Sequence, residues 1–236
     1  MDLQLTEYRY IEDNLAAVRA RLADAAARRG HAVPKLIAVT KSATDDEVRA
    51  LLSFGVDAIA ENRPQCFRAR AAIATELGVL PTPELHLIGS LQTNKVKYVI
   101  ETAALIQSLD SERLAAEIER QAERRGISAR VLIEVNSGRE ESKGGLLPEE
   151  VTAFAEGLTR FPHIKALGLM TMGPDCESPE DYRPYFQRTR ELAEELAARG
   201  LLPEKPLLSM GMSESYEIAA EEGATMVRVG RTLFHR

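Results

Sequence analysis

The 236 residues are 44% hydrophobic and 28% charged, an ordinary balance for a globular protein. No apolar run approaches the roughly 18 residues of a membrane span, and Met1-Asp-Leu-Gln-Leu-Thr-Glu7 lacks the basic start and apolar core of a signal peptide, so no membrane partner is expected and the cytoplasm is the expected compartment. A net charge of −6 argues against nucleic acid as the main partner but leaves room for a local anion site. Cys66 and Cys176 lie far apart and outside any C-x-x-C pattern, so reduced thiols are expected; four scattered histidines show no ligand spacing, so no metal site is expected.

A stripe of Ile11, Leu15, Val18 and Leu22 predicts a helix from about Thr6 to Arg29, stopped by Gly30. Lys35-Leu-Ile-Ala-Val-Thr-Lys41 follows as a short apolar run rich in β-branched residues, the profile of a buried strand. Its alternation points Lys41 the same way as Ile37 and Val39, at the rim of whatever core they line. A lysine placed there is either a solvated strand-end residue or a nucleophilic amine able to form a Schiff base. Thr44-Asp-Asp-Glu47 reads as a capping box before a helix ending near Gly55.

The strand-helix pattern then repeats. Strands are predicted at 58–60, leading into Glu61-Asn62-Arg63, and at 85–89, 104–108, 130–136, 164–170, 206–210 and 224–229. Helices are predicted at about 64–76, 92–100, 111–125, from 148, from the loop ending at Pro179 to Arg199, and at 213–222, with a short turn at 230–236. About eight strands alternating with helices over this length indicate a single (β/α)8 TIM barrel spanning residues 1–236; an open doubly wound sheet is the alternative.

In such barrels the site lies at the C-terminal ends of the strands, and the loops after the last two often hold a phosphate. Here those ends carry Lys41, Asn62, Asn136, Met170, the run Ser209-Met-Gly-Met-Ser213, and Arg228-Val-Gly-Arg231. Gly211 and Gly230 allow close backbone approach, and Ser213 stands at a predicted helix start, as an anion contact or an ordinary N-cap. Closure would make Arg228 and Lys41 come from adjacent strands. An amine for an aldehyde, hydroxyls and amides for a phosphate, and an arginine between them describe a pyridoxal phosphate (PLP) pocket. An arginine keeps its proton, so it donates to the pyridine nitrogen without protonating it, which disfavours transaminase-like chemistry. A salt bridge from Arg228 to Glu61 or Glu134 is the competing expectation. Lys143, in a polar loop, is either solvated or a second aldehyde-reactive amine; Lys95 and Lys97 are expected to face solvent, and Tyr182 and Tyr185 to pack at a helix start.

Ala38-Val-Thr-Lys41, Ala60-Glu-Asn-Arg63, His86-Leu-Ile-Gly-Ser-Leu-Gln-Thr-Asn-Lys95, Glu141-Ser-Lys143 with Gly145, Gly168-Leu-Met170, Leu208-Ser-Met-Gly-Met-Ser213 and Gly223-Ala-Thr-Met-Val-Arg-Val-Gly230 together span nearly the whole chain. In that order they resemble the pyridoxal phosphate homeostasis protein family. The resemblance implies a barrel like the N-terminal domain of alanine racemase and an internal aldimine at Lys41. It further implies pyridine-nitrogen contact from Arg228, phosphate contacts from Ser209, Ser213, Gly230 and the amide of Arg231, and Asn62 near the cofactor ring. Ser90, Ala60, Arg231 and the ending Leu233-Phe-His-Arg236 depart from the family pattern, and Arg231 leaves only a backbone phosphate contact where threonine is frequent.

The implied function is a non-catalytic PLP-binding protein of intracellular PLP homeostasis, a monomer whose partners are PLP and PLP-dependent client enzymes. The related racemases need a second domain and an opposing acid or base, for which 236 residues leave no room. A small PLP-dependent amino-acid racemase is the second expectation. A sugar-phosphate enzyme using Lys41 as its Schiff base is the third.

Overall fold

The computed structural model describes residues 5–78, 83–140 and 142–236. Residues 1–4, which begin the stretch read as no signal peptide, and Glu141 of one resembling motif lie outside them.

A single 3-10 turn at Leu5–Tyr8 leads into α1 (Arg9–Arg29), whose predicted stripe of Ile11, Leu15, Val18 and Leu22 is buried. Gly30 ends it in the left-handed conformation. There follow β1 (Lys35–Val39), α2 (Asp45–Ser53), β2 (Ala58–Glu61), α3 (Phe67–Leu77), β3 (Glu84–Leu87), β4 (Leu105–Leu109), α4 (Glu112–Arg125) and β5 (Ala129–Val135). The second half comprises α5 (Val151–Leu158), β6 (Ile164–Thr171), α6 (Arg183–Ala198), β7 (Leu207–Ser209), α7 (Tyr216–Glu221), β8 (Met226–Val229) and α8 (Arg231–Phe234). The predicted capping box is present at α2: Thr44 accepts from the amide of Glu47, whose carboxylate accepts from the amide of Thr44.

All eight strands pair in parallel, each with its neighbour in sequence, and β1 closes on β8 through Ile37 opposite Arg228. The fold is a closed (β/α)8 barrel, and the open sheet is excluded. Alternation sorts the side chains. Leu36 and Ala38 face the helices, whereas Ile37, Val39, Ala58, Ala60, Leu105, Leu132, Met170 and Met226 fill an apolar interior.

Several local expectations are corrected. β1 stops at Val39, leaving Thr40 and Lys41 in the turn that follows. The helix expected at 92–100 is a 3-10 segment, Thr93–Tyr98. The helix expected from 148 begins at Val151, after a turn at 148–150. The one expected at 213–222 is only Tyr216–Glu221, because residues 213–215 are spent on a turn in which the Ser215 hydroxyl accepts from the Met212 amide. The terminal turn is helical at Arg231–Phe234.

Candidate functional site at the barrel mouth

Lys41 reaches the mouth because two carbonyls on either side of it are held. Arg70 of α3 donates through Nη2 to the carbonyls of Thr40 and Ala43, through Nη1 to Asp45 at 2.6 Å, and through Nε to Glu61 at 2.9 Å. The Thr40 hydroxyl donates to the same Glu61 oxygen at 2.6 Å. Glu61, at the end of β2, points away from the barrel interior and is 1% exposed, and these donors meet its buried carboxylate. Lys41 itself stands exposed on this clamped turn.

A cleft of about 340 Å³ opens above the apolar interior and is lined by Lys41, Asn62, Ser213, Arg228, Gly230 and Arg231, which come from the ends of β1, β2, β7 and β8. Tyr182, Ile88, Met172 and Met212 add largely apolar walls. Tyr182 is buried and stacks on Phe186 with ring centroids 5.8 Å apart, as expected at a helix start, but it also faces the cleft. Periodicity gave no sign of these walls, since three of the four lie in loops.

The Asn62 side-chain oxygen is buried with no hydrogen-bond partner among the described residues. Such an atom is costly unless something else satisfies it. Gly230 packs so closely on β1 that a Cβ there would stand 3.1 Å from the Val39 carbonyl. Glycine thus lets the start of α8 sit against the end of β1, beside Lys41.

Arg228 lies inside the mouth and is 3% exposed. Its Nη1 donates to the Ser209 hydroxyl at 2.7 Å and its Nη2 to the Thr171 carbonyl at 2.9 Å. The expected salt bridge to Glu61 or Glu134 is not made: Glu61 is taken by Arg70, and among the described residues Arg228 forms no ion pair. Burial pulls its guanidinium down to about 10, partly offset by the charge of Glu134, so it stays cationic at neutral pH. Ser209 is placed differently from the expected phosphate contact. It is fully buried in the interior, outside the cleft, and its own proton goes to Gln107 at 2.6 Å. Ser213 is no N-cap; its hydroxyl lies 3.5 Å from the amide of Thr232 on the cleft wall. Arg231 pairs with Glu214 at 2.6 Å, and both residues line the cleft.

Lys143 lies beside a separate small cavity with Glu134 and Asn136. Burial works against its charge, but Glu140 at 2.6 Å and Asp175 at 3.1 Å outweigh that and hold the ammonium above its usual range. An amine so held is a poor nucleophile. Asn136 uses its amide on the carbonyls of Glu140 and Lys143 to shape the loop, and Met170 is interior packing. Among the described residues, no helix is long and apolar enough to cross a membrane and no three His, Cys, Asp or Glu side chains are grouped to hold a metal ion.

Comparison with known proteins agrees with this fold. A profile of the alanine racemase N-terminal domain matches residues 14–235. A pyridoxal phosphate homeostasis protein of Aquifex aeolicus is 43% identical over 224 residues, covering 94% of this chain and 96% of its own. The crystal structure of an unknown protein from Bifidobacterium adolescentis superposes with a TM-score of 0.89 at 35% identity, covering 97% of this chain and 96% of that one. PipY of Synechococcus elongatus, solved with PLP bound, superposes with a TM-score of 0.81 at 31% identity, covering 95% of this chain and 99% of that one.

Proposed function

The chain belongs to the pyridoxal phosphate homeostasis protein family, and from that premise we propose that it binds PLP at the barrel mouth and takes part in intracellular PLP homeostasis without catalysing turnover. The observation that carries this is the cleft itself, in which an exposed lysine, an unpartnered buried amide oxygen and a buried guanidinium converge from separate strand ends. When bound, the cofactor supplies an aldehyde that a lysine amine captures with loss of water. Lys41 is the amine, held on a turn that cannot drift because Arg70 grips both its flanks. Asn62 offers its free oxygen to a polar group beside the ring. Arg228 would face the ring nitrogen and, cationic at neutral pH, would lend a hydrogen bond rather than a proton. Ser213 with the backbone at Gly230 and Arg231 receives the phosphate, a task for which Ser209 is too deep. Residues 1–236 act as one PLP-holding domain, a monomer of the cytoplasm that passes PLP to client enzymes.

The test is reductive trapping. After incubation with PLP and borohydride, peptide mapping is expected to show a cofactor-sized mass increment on Lys41, absent in Lys41→Ala. An undiminished increment in Lys41→Ala, carried by Lys143 or another lysine, would overturn the assignment.

A racemase is the second reading, favoured by the match to the alanine racemase N-terminal domain. It predicts multi-turnover exchange of the α-proton of single-enantiomer amino acids in deuterated water; the non-catalytic function predicts no more exchange than free PLP gives.

A further inference from the structure

The apolar interior of the barrel is crossed by one file of polar side chains. Arg228 of β8 donates to Ser209 of β7 at 2.7 Å, and Ser209 to Gln107 of β4 at 2.6 Å. The Gln107 amide nitrogen lies 2.9 Å from His86 Nδ1, and His86 Nε2 lies 3.0 Å from Glu84, both on β3. Glu84 is met from β1 by Lys35 at 3.1 Å, at the opposite end of the barrel from the cleft. Ser209, Gln107 and His86 are each no more than 1% exposed.

The direction of this file is fixed by its ends. Arginine has donors only. The hydrogen bond from His86, with help from Lys35, holds Glu84 near 2 despite partial burial, so at neutral pH its carboxylate only accepts. If His86 carries a single ring proton, that proton goes to Glu84, and the groups behind it must each donate in the same direction. Ser209 therefore turns its proton to the Gln107 oxygen and its lone pair to Arg228. Gln107 presents its nitrogen to His86, which must be the tautomer with a bare Nδ1 and a proton on Nε2. None of these groups can reverse alone without leaving a buried donor or acceptor unmet.

We infer that Gln107 and His86 are positioning residues for Arg228: through Ser209 they fix the guanidinium so that its remaining N–H groups serve the cleft instead of swinging to the carboxyl of Glu134. The inference rests on the assignment of Arg228 to the ring nitrogen. Arg228 has two anchors, Ser209 and the Thr171 carbonyl, and only the Ser209 anchor is adjustable, because a hydroxyl can rotate whereas a strand carbonyl cannot.

The experiment compares Gln107→Leu, Gln107→Glu and Arg228→Ala for PLP affinity, for the absorption maximum of bound PLP and for the melting temperature of the PLP-free protein. Gln107→Leu is expected to weaken PLP about tenfold, the worth of one hydrogen bond to a charged group, and to move the absorption maximum in the same direction as Arg228→Ala. Gln107→Glu still accepts from Ser209 and draws a proton onto His86 Nδ1, so it is expected to keep the parent's maximum. In the unmutated protein, nitrogen-15 spectra of labelled histidine are expected to show His86 with a bare Nδ1; a proton there overturns the inference. So does a Gln107→Leu protein that melts lower yet keeps parent affinity and maximum while Arg228→Ala changes both. If Arg228→Ala changes neither, the assignment of Arg228 to the ring fails instead. Should Gln107→Leu fail to fold, the Gln107→Glu spectrum and the histidine tautomer decide.

Discussion

Glu134 faces into the barrel beneath Gly144, with Asp110 as its charged neighbour: a Cβ on Gly144 would stand 3.7 Å from both Glu134 oxygens and 3.8 Å from an Asp110 oxygen. Burial, reinforced by Asp110 and opposed by Arg228, raises its carboxyl to about 7. The folded value lies above the unfolded one, so the native state holds a proton that the unfolded chain releases. That contribution is fully present below the unfolded value and is lost as the pH climbs from about 4.5 to about 7. Replacing Glu134 with Gln mimics the protonated form at every pH. Glu134→Gln is therefore expected to gain stability relative to the parent between pH 5 and pH 8, by at most about 3 kcal/mol. Urea unfolding at the two pH values measures it, and a pH-independent difference would contradict it. Glu84 does not confound the comparison, since its depressed carboxyl is already ionised throughout that window.

The β1–α2 turn depends on one arginine at the element scale. Arg70 bridges α3, the end of β2, the first turn of α2 and two turn carbonyls, and both it and Glu61 are buried. Arg70→Met leaves the Glu61 carboxylate buried beside Thr40 alone. A loss of about 3 kcal/mol or more is expected, because the surviving charge has lost its partner. Removing both charges with Glu61→Gln and Arg70→Met together should recover part of it, as read by denaturant unfolding. Because the turn carries Lys41, trapping of PLP at Lys41 should also slow in Arg70→Met.

Much of this element was legible in advance and part was not. The capping box at Thr44 and the strand at Lys35 are local patterns, and local patterns are what a sequence displays. Alternation along the sequence puts Lys41 on the strand face shared with Ile37 and Val39, yet the strand ends two residues earlier. Just past its end the Thr40 carbonyl accepts from Arg70, which lies 30 residues further along the chain. The same limit explains Ser209. Its place in the Ser-Met-Gly-Met-Ser run suggested a phosphate contact, whereas its inward face on β7 joins it to Gln107, 102 residues earlier. Ser213 was expected to open a helix, but Ser215 takes over the turn and delays that helix to Tyr216.

At the scale of the whole molecule, the cleft exists only because the sheet closes. Lys41 and Arg228 are 187 positions apart and become neighbours through pairing of β1 with β8, as strand counting anticipated. Closure by contact between distant segments makes each seam a condition for all the others, and the β6–β7 seam is tight at Gly168. A Cβ on Gly168 would fall 1.9 Å from the Leu207 carbonyl oxygen and 2.6 Å from its carbon and nitrogen, all backbone atoms that cannot rotate away. The seam is also short, with three paired positions, Gly168 with Leu207, Leu169 with Leu208 and Met170 with Ser209. Gly168→Ala must therefore push β7 outward, and β7 carries Ser209 and leads into the Ser213 turn. Overpacking of this kind costs about 1–3 kcal/mol where side chains can yield, and more is expected here because only backbone is in the way. The variant should melt well below the parent and, while still folded, bind PLP more weakly, since displacing Ser209 frees the adjustable anchor of Arg228. Parent-like affinity in a folded but destabilised Gly168→Ala would show that the seam holds the barrel without aligning the cleft.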